Sequence, residues 1–491
     1  MAPPNPNPLL KRCLWLLLAL CIFRLWMMPL ASSFWVDETG TLFVVRQGAH
    51  HPSLQVAPQV PASIYFWLPR AMDRLVQLLP GSPGVMEAAY RLPSLLALAL
   101  ALFVIARIAR RLIHPRAAWF AVFACLALRG FDYEAANARP YALGILVASA
   151  SALFLVRWLD QGLLRDAILF VVFAAMIWRV HLLYWPFYIV LLVYTLVRLA
   201  RSETPVGWKG ALLVFGIVGV SLIPVFFEAL ALSRQAAAHV MAPLPPPMEL
   251  LRQLKLGLIA LCLVISLILR RGANSPHPAL ASSLILAWWL IPPVMLFAFS
   301  WGTGNSVFVY RYLSFGLPGV ALAATAAAGL FLPAERWNWA AIILGAGVFI
   351  FLGDWRQVWP PHHNSNWRAA AAAIDTLPDA SGVPVICPSP FLEARAPAWR
   401  PDYTLPGFLY AHLAAYPVHA RLALFPFQTS PQAEQWASRL VLGDRFVIYG
   451  QAPSVEFWRK WFLDEPRLAG WTSQSLGNFG DVSAVILVRP K

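Results

Sequence analysis

Charge is scarce in this sequence. Only 12% of its 491 residues are Asp, Glu, Lys or Arg, against 59% hydrophobic, where a soluble domain carries about a quarter charged residues. That shortage excludes one large soluble globule. Lysine is scarcer still, so arginine supplies most of the 38 basic residues. The cysteines Cys13, Cys21, Cys125, Cys262 and Cys387 show no paired spacing, which argues against a disulfide framework or a cysteine metal cluster. No internal repeat stands out, and the alanine run at 369–373 is the one biased tract.

What is abundant is arranged in blocks. Runs of about 20 apolar residues can cross a bilayer as helices. Hydropathy predicts about eleven of them, near 13–31, 92–113, 117–131, 140–158, 164–179, 182–199, 210–230, 251–269, 280–300, 312–332 and 338–353. The first run lacks a small-residue cleavage site and reads as a retained span. The cluster "RIARRLIHPR" at 107–116 favours a cytoplasmic N-terminus. Residues 58–80 mix Arg70, Asp73 and Arg74 with one apolar face, the pattern of a helix lying along the interface over 62–79. After Asp354 the long apolar blocks stop. "NWRAAAAAIDTL" (366–377) and "SVEFWRKWFLDE" (454–465) read as helices; "VPVICP" (383–388), "RFVIYG" (445–450) and "VSAVILV" (482–488) read as strands. The expected fold is mainly α: a polytopic helical membrane region over 1–353 and a small soluble α/β domain over 354–491, extracytoplasmic by parity of the spans.

Four charged stretches flank the predicted spans. "SSFWVDETGTL" (32–42) carries Asp37 and Glu38 just past the first span. Alone, an acidic pair there is often solvated or caps the next helix. "MEAAYRLPS" (86–94) carries Glu87 and Arg91, whose i,i+4 spacing suits a local ion pair. "FDYEAANARPYAL" (131–143) carries Asp132, Glu134, Arg139 and Tyr141, and "VYRYLSFGLP" (309–318) carries Tyr310 and Arg311. Each of these also reads as interfacial anchoring. All four fall on one predicted face, however. Carboxylates that can take a proton from a hydroxyl, beside arginines that can neutralise a phosphate leaving group, are what sugar transfer from a lipid phosphate needs.

In order and spacing these four motifs resemble the GT-C superfamily of membrane glycosyltransferases, in its protein-mannosyltransferase-like and aminoarabinose-transferase-like group. The resemblance extends over residues 10 to 353. It implies an inverting transfer of a sugar from a polyprenyl-phosphate donor to a lipid, glycan or protein acceptor on the non-cytoplasmic face, with no nucleic-acid partner. On that reading Asp37 is the catalytic base. Glu38 assists it, or the two hold a divalent cation. Arg91, Arg139 and Arg311 face the donor phosphate. Tyr65, Glu87, Glu134, Tyr141, His181 and Tyr310 are candidate substrate contacts. The expected location is a bacterial inner membrane with the site on the periplasmic side. Many members have a "HPPLYYWL"-like stretch after the acidic pair; here "QVPASIYFWL" (59–68) is the better of two incomplete matches.

Two other classes compete. A transporter or flippase of a lipid-linked or anionic substrate would leave ionisable residues at mid-depth, where the spans offer Arg24 alone. A non-catalytic scaffold would scatter the charges around the rim instead of lining one cavity.

Overall fold

The computed structural model describes residues 8–48, 51, 63–78, 84–236, 243–270, 279–391, 407–427 and 429–490. Among the described residues, eight helical segments are long and apolar enough to cross a membrane: Pro8–Ala31, Val85–Leu112, Tyr141–Gln161, Leu182–Ala200, Trp208–Ala231, Pro247–Ile268, Ser283–Thr303 and Tyr310–Gly329. Each coincides with a predicted span. The other three predicted spans fall on the helices Ala118–Leu126, Leu164–Val180 and Trp337–Leu352, of 9, 17 and 16 residues. The first and last are shorter than a full crossing, and Leu164–Val180 stands at its lower limit. Leu212, Leu213, Val220, Phe226 and Phe227 along one helix are exposed, an apolar surface that lipid would cover. The chain is an integral membrane protein.

Small residues set the helix spacing. A Cβ on Gly319 would stand 2.6 Å from the backbone carbon of Trp288, so the helices at 283–303 and 310–329 touch backbone to backbone. The first span is distorted over Phe23–Met27 into a π-helical turn. This turn carries Arg24, which is buried and explains the single mid-depth charge. Its guanidinium donates to the carbonyls of Gly353 (2.5 Å), Asp354 (2.7 Å), Gln357 (2.6 Å) and Val358 (2.7 Å). Arg24 therefore ties the C-cap carbonyl of Trp337–Leu352 to the segment that follows it.

The interfacial segment is a 3-10 turn, Ile64–Phe66, running into the helix Trp67–Val76; residues 52–62 and 79–83 lie outside the described residues. Asp73 turns inward and accepts from Tyr90 (2.8 Å) and Arg46 (3.1 Å).

Beyond residue 366 the chain forms a mixed five-stranded sheet in the order β2-β1-β3-β5-β4. The strands are β1 (Pro384–Pro388), β2 (Arg421–Phe425), β3 (Arg445–Gln451), β4 (Thr472–Ser475) and β5 (Val482–Val488). β1 pairs in parallel with β2 and β3, and β5 runs antiparallel to β3 and β4. The three predicted strands are the central ones. The two unpredicted strands sit at the edges, where one is partly charged and the other, "TSQS", is wholly polar. The predicted helices appear as Trp367–Asp375, capped by the Asn366 side chain on the Ala369 amide at 3.1 Å, and Ala452–Asp464.

The sheet is not an independent appendage. Phe34, Phe43, Tyr65 and Tyr90 share one buried cluster with Trp367, Phe408, Tyr410 and Val447. The sheet thus rests on the loop that follows the first span. Polar contacts seal that junction. Glu87, expected as a substrate contact or as a partner of Arg91, is 2% exposed, accepts from the Tyr416 hydroxyl at 2.9 Å and forms an ion pair with Arg368 at 3.0 Å. Tyr416 in turn accepts the Phe34 amide at 2.8 Å.

Gly319→Ala should destabilise the helical bundle by about 1–3 kcal/mol, since neither backbone can yield. A thermal unfolding scan in detergent would show a lower midpoint; an unchanged midpoint would mean the two helices separate freely.

Candidate active site

The helix Val36–Gln47 begins directly after Trp35. Asp37 and Glu38 lie in its first turn, where negative charge is favoured by the helix dipole. Neighbouring helical residues point about 100° apart, and the two carboxylates accordingly meet different partners.

Glu38 is fully buried, and its four hydrogen bonds all go to protein. Oε1 accepts from Arg91 Nε at 2.8 Å and the Ala138 amide at 2.7 Å; Oε2 accepts from Arg91 Nη2 at 2.5 Å and the Trp35 amide at 3.2 Å. Arg91 is also wholly buried. Its remaining N–H groups donate to the carbonyls of Pro29 (3.2 Å), Leu30 (2.9 Å), Ser32 (2.7 Å) and Ser33 (3.2 Å). These contacts depart from the expected roles. With every donor engaged and no exposed surface, Arg91 has nothing left for a donor phosphate. Glu38 likewise has no free oxygen for a substrate or a cation. Among the described residues no group of three His, Cys, Asp or Glu side chains gathers in a metal-binding arrangement.

Asp37 is placed differently. Its side chain is 16% exposed and pairs with Arg311, 27% exposed, at 3.4 Å. Arg139 donates to the Asp37 carbonyl at 3.2 Å and to Thr41 Oγ1 at 3.4 Å. The Nε atoms of Arg139 and Arg311 and the Tyr141 hydroxyl are buried without hydrogen-bond partners. Unsatisfied buried donors are rare in folded proteins, and here they cluster around one half-open carboxylate. Arg311 lies over the rings of Trp35 (5.7 Å) and Tyr312 (5.4 Å). His181 packs against Tyr141 at 5.6 Å and Tyr312 at 5.3 Å. Burial, with Arg139 and Arg311 nearby, lowers its pKa to about 3, so it is a neutral ring with Nδ1 accepting from the Leu183 amide. Tyr65 is buried beside Ser94, with Arg139 close enough to influence it.

Next to this group lies a cavity of about 530 Å³ lined by Tyr133, Glu134, Lys255, Tyr310, Ser314 and Leu317 among others. Glu134 is 1% exposed and accepts from Asn137 at 2.8 Å, which itself accepts from Trp35 Nε1 at 3.2 Å. Burial raises its pKa to about 8, against the lowering influence of Asn137, Arg311 and Arg139. Lys255 was not singled out by the sequence motifs. It stands at φ +51 at the start of Leu256–Ile268, a backbone region that non-glycine residues seldom occupy. Its one sequence signal is that lysine is rare in this chain and this one directly precedes an apolar run.

No family model matches the chain, and no curated protein matches it. Among solved structures it is similar to ArnT from Cupriavidus metallidurans bound to undecaprenyl phosphate, at 12% identity and a TM-score of 0.54, over 96% of this chain and 97% of that one. The two chains share a fold over nearly their whole lengths. A second likeness, to the arabinosyltransferase EmbB from Mycobacterium smegmatis, has a TM-score of 0.41 at 17% identity over 66% of this chain and 31% of that one, too low to argue from. This fold brings Asp37, Arg139 and Arg311 into one group with Tyr141 and His181. Glu134 and Tyr310 line the adjoining cavity, while Glu38, Glu87 and Arg91 stand behind it in the packing.

Two outcomes follow from the buried groups. Arg91→Met leaves Glu38 unpaired, and Glu38→Leu leaves Arg91 unpaired; each should cost about 3–5 kcal/mol, and the double variant distinctly less than the sum. Equilibrium unfolding of the four proteins gives the coupling, and additive losses would mean the pair is not coupled. Glu134 is protonated in the folded chain up to about pH 8, whereas an unfolded glutamate releases its proton near pH 4.3. Its contribution therefore falls as pH rises between those values and is level above. Unfolding midpoints from pH 5 to 9 should show that decline in the wild type and a flatter profile in Glu134→Gln.

Proposed function

We propose that this chain is an inverting glycosyltransferase that moves a sugar from a polyprenyl-phosphate donor to an acceptor hydroxyl on the extracytoplasmic face of a bacterial inner membrane. The observation that carries this reading is the half-open Asp37–Arg311 pair with Arg139 fixed beside it and unsatisfied guanidinium nitrogens around it. Undecaprenyl phosphate, bound in the similar ArnT structure, exemplifies the lipid class.

In the reaction, Asp37 accepts the proton of the acceptor hydroxyl as its oxygen attacks the anomeric carbon. The bond from that carbon to the phosphate oxygen breaks on the opposite side, which inverts the configuration. The departing polyprenyl phosphate gains negative charge. Arg311 and Arg139 supply fixed positive charge there, and electrostatic stabilisation of this kind is worth most in a water-poor site. Planar guanidinium groups suit phosphate because each can meet two oxygens. The cavity lined by Lys255, Tyr310 and apolar Leu258 and Leu317 would take the phosphate and the first isoprene units, with the protonated Glu134 as a hydrogen-bond donor. Tyr65, Tyr141 and His181 would border the sugar. Glu38 and Arg91 act as positioning residues. Residues 1–353 would form the catalytic membrane region, and residues 354–491 the extracytoplasmic domain over it, anchored through Glu87.

A transporter reading gains nothing from Arg24, because its guanidinium is spent on the carbonyls of residues 353–358. Asp37→Asn removes the base while keeping shape. Transfer from a polyprenyl-phosphate sugar in proteoliposomes should fall by roughly 10²–10⁴-fold, with undecaprenyl phosphate still bound. Wild-type transfer by this variant would sink the assignment of Asp37.

A further inference from the structure

The segment that joins the last helix of the bundle to the sheet crosses the site. Arg24 holds the start of this strap through the four carbonyls at 353–358 and lies over the Trp355 ring at 4.6 Å. Past the two prolines at 360 and 361, the His362 amide donates to Ser32 Oγ at 3.0 Å. The imidazole of His363 stacks on Trp35, 5.3 Å between centroids with an interplanar angle of 4°. Trp35 is the ring over which Arg311 lies. His362 packs on Tyr133 at 4.2 Å, and Tyr133 both lines the 530 Å³ cavity and neighbours Tyr310 at 6.5 Å.

Two polar atoms at this contact are buried and have no hydrogen-bond partner: His362 Nε2 and the Tyr133 hydroxyl. Leaving a buried polar atom unpaired costs more than a hydrogen bond returns; both atoms belong to rings packed on each other, one of which lines the cavity, and the contact points to a ligand group that pairs them. Burial, together with Arg91 and His363, keeps the His362 imidazole neutral. A neutral imidazole and a phenol suit an uncharged hydroxyl, which can donate to one and accept from the other; phosphate is better served by Arg139 and Arg311.

We propose that the strap is a wall of the active site and that His362 and Tyr133 form a subsite for a sugar hydroxyl of the donor. Arg24 is the positioning residue that holds the strap in place. This inference rests on the glycosyl-transfer reading above. It assigns a substrate contact to a part of the chain outside the four sequence motifs.

The test compares two lipids on the full chain in nanodiscs: undecaprenyl phosphate and undecaprenyl phosphoglucose, with affinities read by native mass spectrometry. Wild type should bind the glycosylated lipid more tightly. His362→Phe keeps the ring packing on Tyr133 and removes the nitrogen. It should weaken the glycosylated lipid by roughly three- to tenfold and leave the bare lipid unchanged. His362→Gln, which restores a polar group at similar reach, should recover part of that loss. Equal weakening of both lipids, no change in either, or no preference in the wild type would each overturn the subsite. Failure of the wild type to bind either lipid would overturn the donor class itself and the subsite with it.

Discussion

The buried ion pair between Glu38 and Arg91 fixes the geometry on which the site depends. Burying two charges is expensive, and only excellent geometry with every remaining hydrogen bond satisfied offsets the cost. Here the two groups meet in a bidentate contact, and Arg91 spends its other donors on the carbonyls of residues 29–33. The exit of the first span is thereby wrapped around one guanidinium from the helix Val85–Leu112. The same carboxylate receives the Ala138 amide, which holds the loop that carries Arg139. One residue away on each side, Asp37 and Arg139 are brought together. The Asp37 carboxylate stays partly open because its neighbour does the structural work.

This division between adjacent residues explains which parts of the site could be read from sequence. The order of the charged motifs pointed to the fold and to the grouping of Asp37, Arg139 and Arg311. It favoured Asp37 over Glu38 as the base, but it could not show that Glu38 is wholly taken up by Arg91 and two backbone amides, because that depends on helical phase within one turn and on distant partners. Glu87 and Arg91 illustrate the limit. Their i,i+4 spacing suits each other, yet Arg91 turns to Glu38, 53 residues away in sequence, and Glu87 turns to Arg368 and Tyr416. A local rule worth a few tenths of a kcal/mol yields to burial and to stronger charge-assisted bonds. Lys255 and the strap histidines were missed for a related reason. They are isolated polar residues in connecting segments, and only the packing brings Lys255 to the cavity and the histidines onto Trp35 and Tyr133.

The C-terminal region shows the same interplay at larger scale. Its central strands are apolar and were legible; its edge strands are short and polar and were not. More consequential is the shared core. Phe34, Phe43 and Tyr90 from the membrane region pack with Trp367 and Phe408 from the sheet region, and a composition change at residue 354 gives no sign of that. A boundary in composition marks where lipid contact ends, not where cooperative packing ends.

Arg24 links these levels. A charge at mid-span is costly in lipid, and sequence alone could take it for part of a translocation path. The π-helical turn over Phe23–Met27 is the distortion that aims it. One inserted residue rotates the guanidinium inward, where it meets the carbonyls of residues 353–358, just past the end of Trp337–Leu352. The charge is then neutralised by dipoles already present, with no carboxylate required. The strap that leaves those carbonyls has a fixed starting point, and the histidines a few residues on are delivered to Trp35 and Tyr133. A π-helical turn and a buried charge, each unfavourable alone, thus fix the connection between the membrane bundle and the segment that packs on Trp35 and Tyr133.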